Sequence, residues 1–121
     1  MHNAAKAYGT VAQQTASPRE LEAQLLLRAA SRLQNVHDHW DSQRSGLDHA
    51  LLFNRKLWTV FLTSATNKDN PLPAEVRQNI ANIGIFVINQ TLNVMGNPQP
   101  ERLRSLININ RQLAAGLSGG A

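Results

Sequence analysis

The sequence predicts an all-α fold: a single small helical bundle of about four main helices, preceded by a short N-terminal helical arm. Three observations predict it. Apolar residues recur at three- and four-residue steps along most of the chain, with no β-alternation of useful length and no internal repeat. The stretch Leu51 to Leu62, LLFNRKLWTVFL, is apolar on most sides and holds Phe53, Trp58 and Phe61 in a chain only 5% aromatic, so it reads as a central, covered helix. Short connections rich in Asn, Pro and Gly separate the periodic stretches, as antiparallel neighbours require. The expected organisation is an arm over residues 1–14 and a bundle over 15–121.

Length and composition narrow the function. A chain of 121 residues suffices for one modest core, and 42% hydrophobic against 17% charged residues is the balance of a globular protein. The chain has no cysteine, which excludes disulfides, Cys-ligated zinc and thiol nucleophiles. The start, MHNAAKAYG, lacks the apolar run of a secretory signal, and the longest apolar run, near IGIFVI, is far short of a membrane span. The expected location is cytoplasmic, without membrane attachment. The formal charge of +4 permits an acidic or nucleic-acid partner, but the basic residues are scattered from Lys6 to Arg111 with no dense run, so they read as ordinary solvated charge.

Each element has its own signal. In residues 3–13, Ala4, Ala5, Tyr8, Val11 and Ala12 keep helical spacing, but so short a helix is marginal without packing partners and Gly9 weakens it. Its order should depend on docking, to its own bundle or to a partner. Ser17-Pro18-Arg19-Glu20 is a capping box with proline at the first helical position. The helix it opens should run to about Asp41, burying Leu26, Ala29, Ala30, Leu33, Val36 and Trp40, with Leu25 and Leu27 broadening that face.

After a break at 43–46, the central helix is expected from Leu47 to Thr66. Ala50, Phe53, Leu57, Val60 and Phe61 should share its buried side, with Trp58 beside them and Asp48, Arg55, Thr59 and Thr63 opposite. Asn67 to Pro71 reads as a loop, and a third helix should span Pro73 to Met95. One apolar face there is Val76, Ile80, Ile83, Gly84, Val87 and Val94; a second is Ile85, Ile88, Leu92 and Met95. Gly84 costs about 1 kcal/mol in a helix, which points to close approach of another helix, with Trp58 as the expected neighbour. Asn97 to Pro100 separates this from a last helix carrying Leu103, Leu106, Ile107, Leu113, Ala114 and Leu117, and Gly116 and Gly119-Gly120 end the order.

Little in the chain resembles catalytic machinery. His37 and Asp41 stand one helical turn apart, but no third metal ligand can be placed. His49 near Asp48 and Ser45 does not make a triad, which is defined by geometry, and no nucleophile elbow, phosphate-cradling loop or paired-carboxylate motif occurs. No metal, cofactor or enzymatic activity is expected. More informative are apolar residues on polar faces: Leu52 in line with Asp48 and Arg55, Phe86 with Asn82, Asn89 and Asn93, and Ile109 with Arg102, Ser105 and Gln112. Where such residues adjoin, they form a patch for an amphipathic partner helix.

Six stretches stand in order along the chain: AYG at 7–9, TASPRELEAQLLLRAA at 15–30, RKLWTVF at 55–61, the LP of Leu72-Pro73, IANIGIFVIN at 80–89 and LININRQLAAGL at 106–117. In order and spacing they resemble the FlaF family, flagellar-biosynthesis regulators of alphaproteobacteria. The His-rich helix end (His37, His39) and the NPQP connection depart from the pattern. The resemblance implies a small helical cytoplasmic protein tied to flagellin synthesis and secretion, acting alongside the post-transcriptional regulator FlbT. Two mechanisms follow from it. One is a flagellin-binding export chaperone that shelters an amphipathic flagellin helix in an apolar groove and couples secretion to synthesis. The other is a regulator of flagellin mRNA, acting directly or through FlbT; the missing basic cluster favours the first. On the chaperone reading the groove-lining residues are Leu52, Trp58, Phe86, Ile88, Leu92 and Ile109, with Tyr8 and Val11 of the arm covering the groove until a partner displaces it.

Overall fold

The structure, a computed structural model, describes residues 17–119. Among these the elements are α1 (Pro18–Asp38), α2 (Trp40–Gln43), a 3-10 turn (Arg44–Gly46), α3 (Leu47–Thr66), α4 (Ala74–Gly96), a second 3-10 turn (Pro100–Leu103) and α5 (Arg104–Leu117), with no strand. The all-α small bundle expected from the periodicity is what forms. The N-terminal arm, with Tyr8 and Val11, lies outside the described residues.

Local chemistry sets the boundaries. The Glu20 amide donates to Ser17 Oγ at 3.1 Å, and the Ser17 amide donates to Glu20 Oε2 at 3.4 Å, so both halves of the capping box are made. α1 stops at His39, whose backbone leaves the helical region (φ −125°, ψ 46°). The link between α3 and α4 is closed by asparagines: Asn67 Oδ1 accepts from the Asp69 amide, Asn70 Oδ1 from the Leu72 amide, both at 2.9 Å, and Asn70 Nδ2 donates back to the Ser64 carbonyl at 3.0 Å.

α1 lies along α5 and against α3, while α4 packs chiefly on α3. The registers are antiparallel. Leu26 and His37 of α1 meet Asn110 and Arg104 of α5. Arg32 of α1 stacks over Phe53 of α3, 4.4 Å from the ring centroid. Leu62 of α3 faces Gly84 of α4, and Leu51 faces Thr91. The core runs between α1, α3 and α5 through Leu26, Leu33, Leu51, Trp58, Leu103 and Leu106, all at most 2% exposed.

Several expectations need correction. The buried side of α3 is Leu47, Ala50, Leu51, Asn54, Trp58, Phe61 and Ala65. It is rotated from the expected one, because α1 and α4 both pack on α3 and Asn110 of α5 reaches Trp58 and Asn54 between them. Val60 is 63% exposed, and Phe53 and Leu57 are half-buried at the edge. Leu25 and Leu27 are 36% and 46% exposed, flanking the α1 face instead of widening the core. On α4, Val76 and Ile83 are also exposed; Ala81, Gly84, Val87, Thr91 and Val94 are buried. The helix that approaches Gly84 does so through Leu62, not Trp58: a Cβ placed on Gly84 would lie 2.6 Å from Leu62 Cδ2.

Trp58 is correspondingly no groove residue. It is fully buried, its ring edge-to-face with Phe61 at 5.4 Å, and its indole N–H donates to Asn110 Oδ1 at 2.9 Å. That one bond orders a buried network. The indole can only donate, so Asn110 must present its oxygen to it and its amide nitrogen elsewhere. Asn110 Nδ2 then donates to Asn54 Oδ1 at 2.6 Å and, at 3.5 Å, to the Leu26 carbonyl. Asn54 is left with its own Nδ2 buried and without a protein acceptor. Three helices meet on this chain of donors.

Candidate functional site: an open apolar seam on α4

α4 buries one face on α3 and carries a second apolar row that no other described element covers. Ile85, Ile88, Leu92 and Met95 recur at steps of three, four and three, the spacing that lines one side of a helix against another. Ile85, Leu92 and Met95 are 53–55% exposed, and Ile88 is half-buried. The row lies outside the buried positions Gly84 and Thr91, so it borders the α3–α4 contact without joining it.

Near its C-terminal end a cavity of about 230 Å³ opens between the two helices, lined by Asp48, Leu51, Leu52, Arg55, Thr91 and Met95. Leu52 is half-buried there. Thr91 Oγ1 donates to the Val87 carbonyl at 2.7 Å, which spends its hydroxyl inside the helix and leaves the cavity floor largely apolar. Asp48 and Arg55, two turns apart on α3, are exposed and place one charge of each sign along one rim. An apolar floor with a mixed-charge rim suits a side chain from an amphipathic helix laid along the seam.

Of the expected groove residues, Ile88 and Leu92 share one row of α4 and Leu52 lines the cavity beside Met95 at the end of that row; the others lie apart. Phe86 is 47% exposed but stands roughly 100° around α4 from Ile85 and about 120° from Leu92. The polar Asn82, Asn89 and Asn93 fall between, so Phe86 is off the seam. Ile109 on α5 is half-buried against the core, on a different helix from the seam. Trp58 is inside, as described. Ile85 and Met95 complete the row; they were legible as an apolar face of the third helix, and only their lack of cover required the structure.

The histidine-rich end of α1 forms contacts of a different kind. Arg104 Nε donates to His37 Nε2 at 3.4 Å, so His37 carries its proton on Nδ1, which meets the Asp38 carboxylate at 2.9 Å. This hydrogen bond, with a second from Gln34, holds the Asp38 carboxyl below its ordinary range. Asp41 is exposed beyond the break at His39. Among the described residues no group of three or more His, Asp or Glu side chains converges in the manner of a metal site.

The family model of flagellar protein FlaF matches residues 4–117, nearly the whole chain. The chain belongs to the FlaF family. It is thus a flagellar protein, and the order of stretches that resembled this family reported the family correctly. No curated protein and no solved structure matches the chain. Among the described residues no helix is long and apolar enough to cross a membrane.

Proposed function

We propose that this FlaF protein is a flagellin-binding export chaperone of the cytoplasm, coupling flagellin secretion to its synthesis through the α4 seam. The observation that carries the reading is the row Ile85, Ile88, Leu92 and Met95, exposed at helix-pairing spacing beside the Leu52 cavity. A flagellar family and a surface suited to an amphipathic helix together favour a client that supplies such a helix. Covering the remaining exposed area of four or five apolar side chains is worth roughly 1 kcal/mol each. Ordering a segment on binding costs about 2–5 kcal/mol, which offsets part of the contact energy from the seam and the rest of the interface and keeps binding reversible.

The test is calorimetric titration with monomeric flagellin at low and high salt. Saturable binding with a negative heat-capacity change and weak salt dependence is expected of an apolar seam. Absence of binding sinks the chaperone reading. Flagellin mRNA and FlbT then become the ligands to titrate, and a steep salt dependence would mark phosphate contacts.

A further inference from the structure

Two cavities flank α3. Asp48, Leu51 and Leu52 face the one beside α4, while His49 and Ala50 face a second, of about 240 Å³, between α1, α2 and α3. Val36 and Ala50, each 4% exposed, form the floor of the second cavity. Its rim is Arg32 and Asn35 from α1, Gln43 from α2 and His49 from α3, all exposed.

The rim is a set of unpaired donors. Among the described residues none of these four side chains makes a hydrogen bond or an ion pair; Asn35 is engaged only through its backbone carbonyl. Comparable side chains elsewhere are tied back: Gln34 to Asp38, Arg77 to the Leu72 carbonyl and Arg102 to the Asn93 carbonyl. Arg32 is held in place all the same. Its guanidinium lies 4.4 Å over the Phe53 ring, which steadies its plane and leaves its N–H edge free. No acidic side chain lines the cavity to neutralise it. Asp38 is engaged by His37 and Gln34, Asp48 faces the other cavity, and Asp41 of α2 stands outside the lining.

We infer that this cavity binds a small organic phosphate monoester. Arg32 supplies the positive charge and a planar fork that pairs two oxygens of one anion. Asn35 and Gln43 each add an amide N–H, and His49 adds a ring N–H. These donors come from three helices around one space. A carboxylate offers its lone pairs in a single plane, whereas the oxygens of a phosphoryl group leave that plane and meet donors on several sides. The floor of Val36 and Ala50 takes a short apolar body on the ester oxygen. A volume below the roughly 300–1,000 Å³ of sites for drug-sized ligands limits that body to a single ring or a short chain. The site lies away from the α4 seam and stands independently of the chaperone reading.

The probe is phenyl phosphate, titrated into the full chain and followed by amide NMR, where the side-chain NH₂ groups of Asn35 and Gln43 report directly. The expected result is saturable shifts confined to the cavity lining. Arg32→Gln should weaken binding at least about tenfold. Arg28→Gln removes the same charge from an exposed position on the same helix, outside the cavity, and should change the affinity less than about twofold. Both positions are exposed, so the CD spectrum and thermal midpoint should stay those of the parent. Inorganic phosphate should shift the same signals with lower affinity, and benzoate, with a similar ring and a planar anion, should bind more weakly than phenyl phosphate. Absence of saturation at millimolar probe overturns the inference, as does an equal loss in Arg28→Gln and Arg32→Gln, which would mark diffuse attraction. Benzoate binding as tightly as phenyl phosphate overturns the phosphate assignment, and inorganic phosphate doing so overturns the apolar body.

Discussion

Replacing Asn110 by alanine should cost far more stability than replacing Asn54, although the two side chains touch and are equally buried. The difference follows from the direction of the hydrogen bonds. Asn110→Ala strands the Trp58 indole N–H, which has no other partner, and the Asn54 oxygen, which accepts only from Asn110. Each stranded group costs about 1–3 kcal/mol, giving roughly 2–6 kcal/mol before any cavity term. Asn54→Ala strands only one N–H of Asn110, which keeps its longer bond to the Leu26 carbonyl. It also removes the Nδ2 that already lacks an acceptor. Its polar cost is therefore about 1–3 kcal/mol, less the relief of that unpaired group.

Equilibrium urea denaturation followed by CD measures both, with unchanged m-values showing that the same surface unfolds. A domain of this size has about 5–15 kcal/mol of stability, so Asn110→Ala consumes a large share of it. An Asn54→Ala loss equal to or greater than that of Asn110→Ala would refute the assigned direction of the network.

The other predictions rest on separate contacts. Gly84→Ala gains about 1 kcal/mol of helix propensity but drives a methyl into Leu62, at a typical overpacking cost of about 1–3 kcal/mol; the variant should be neutral to about 2 kcal/mol less stable. Combined with Leu62→Ala, the same change should become favourable, and a double-mutant cycle with no coupling would contradict the close approach. Ser17→Ala should cost about 1 kcal/mol by losing the cap to the Glu20 amide, read as a lower urea midpoint. Burial raises the Glu22 carboxyl above its ordinary range, with Arg19 opposing, so its stability contribution is greatest in acid and falls as pH rises through the raised value. Glu22→Gln, which stays neutral, should therefore match the parent in acid and exceed it at neutral pH; a deficit at neutral pH would reverse the assigned cause.

The helices were legible because their signals are local. The capping box, the Asn-Pro connections and the three-and-four periodicity placed α3 at Leu47–Thr66 and α4 within a residue of its ends. What a face packs against is not local. α3 is apolar on so many sides that periodicity alone could not choose between a face centred on Leu57 and one centred on Trp58 and Asn54. Asn54 and Asn110 are polar, yet each falls in register with the buried row of its helix: Leu51, Asn54, Trp58 on α3 and Leu106, Asn110, Ala114 on α5. That register was the available signal, and only the meeting of the two helices through Trp58 explains it. Likewise Ile85, Ile88, Leu92 and Met95 read as an apolar face, but whether a neighbour covers such a face depends on where α4 hangs on α3. Phe86 stood out in sequence because its neighbours are polar, and that same setting puts it apart from the seam.

The most direct measurement is the affinity of Leu92→Asp for monomeric flagellin, titrated beside the parent protein. Leu92 is 54% exposed, so the change should leave the CD spectrum and thermal midpoint close to those of the parent. Placing a carboxylate in the middle of the seam should weaken binding at least tenfold, about 1.4 kcal/mol or more. Unchanged affinity in the folded variant would show that flagellin does not bind through α4.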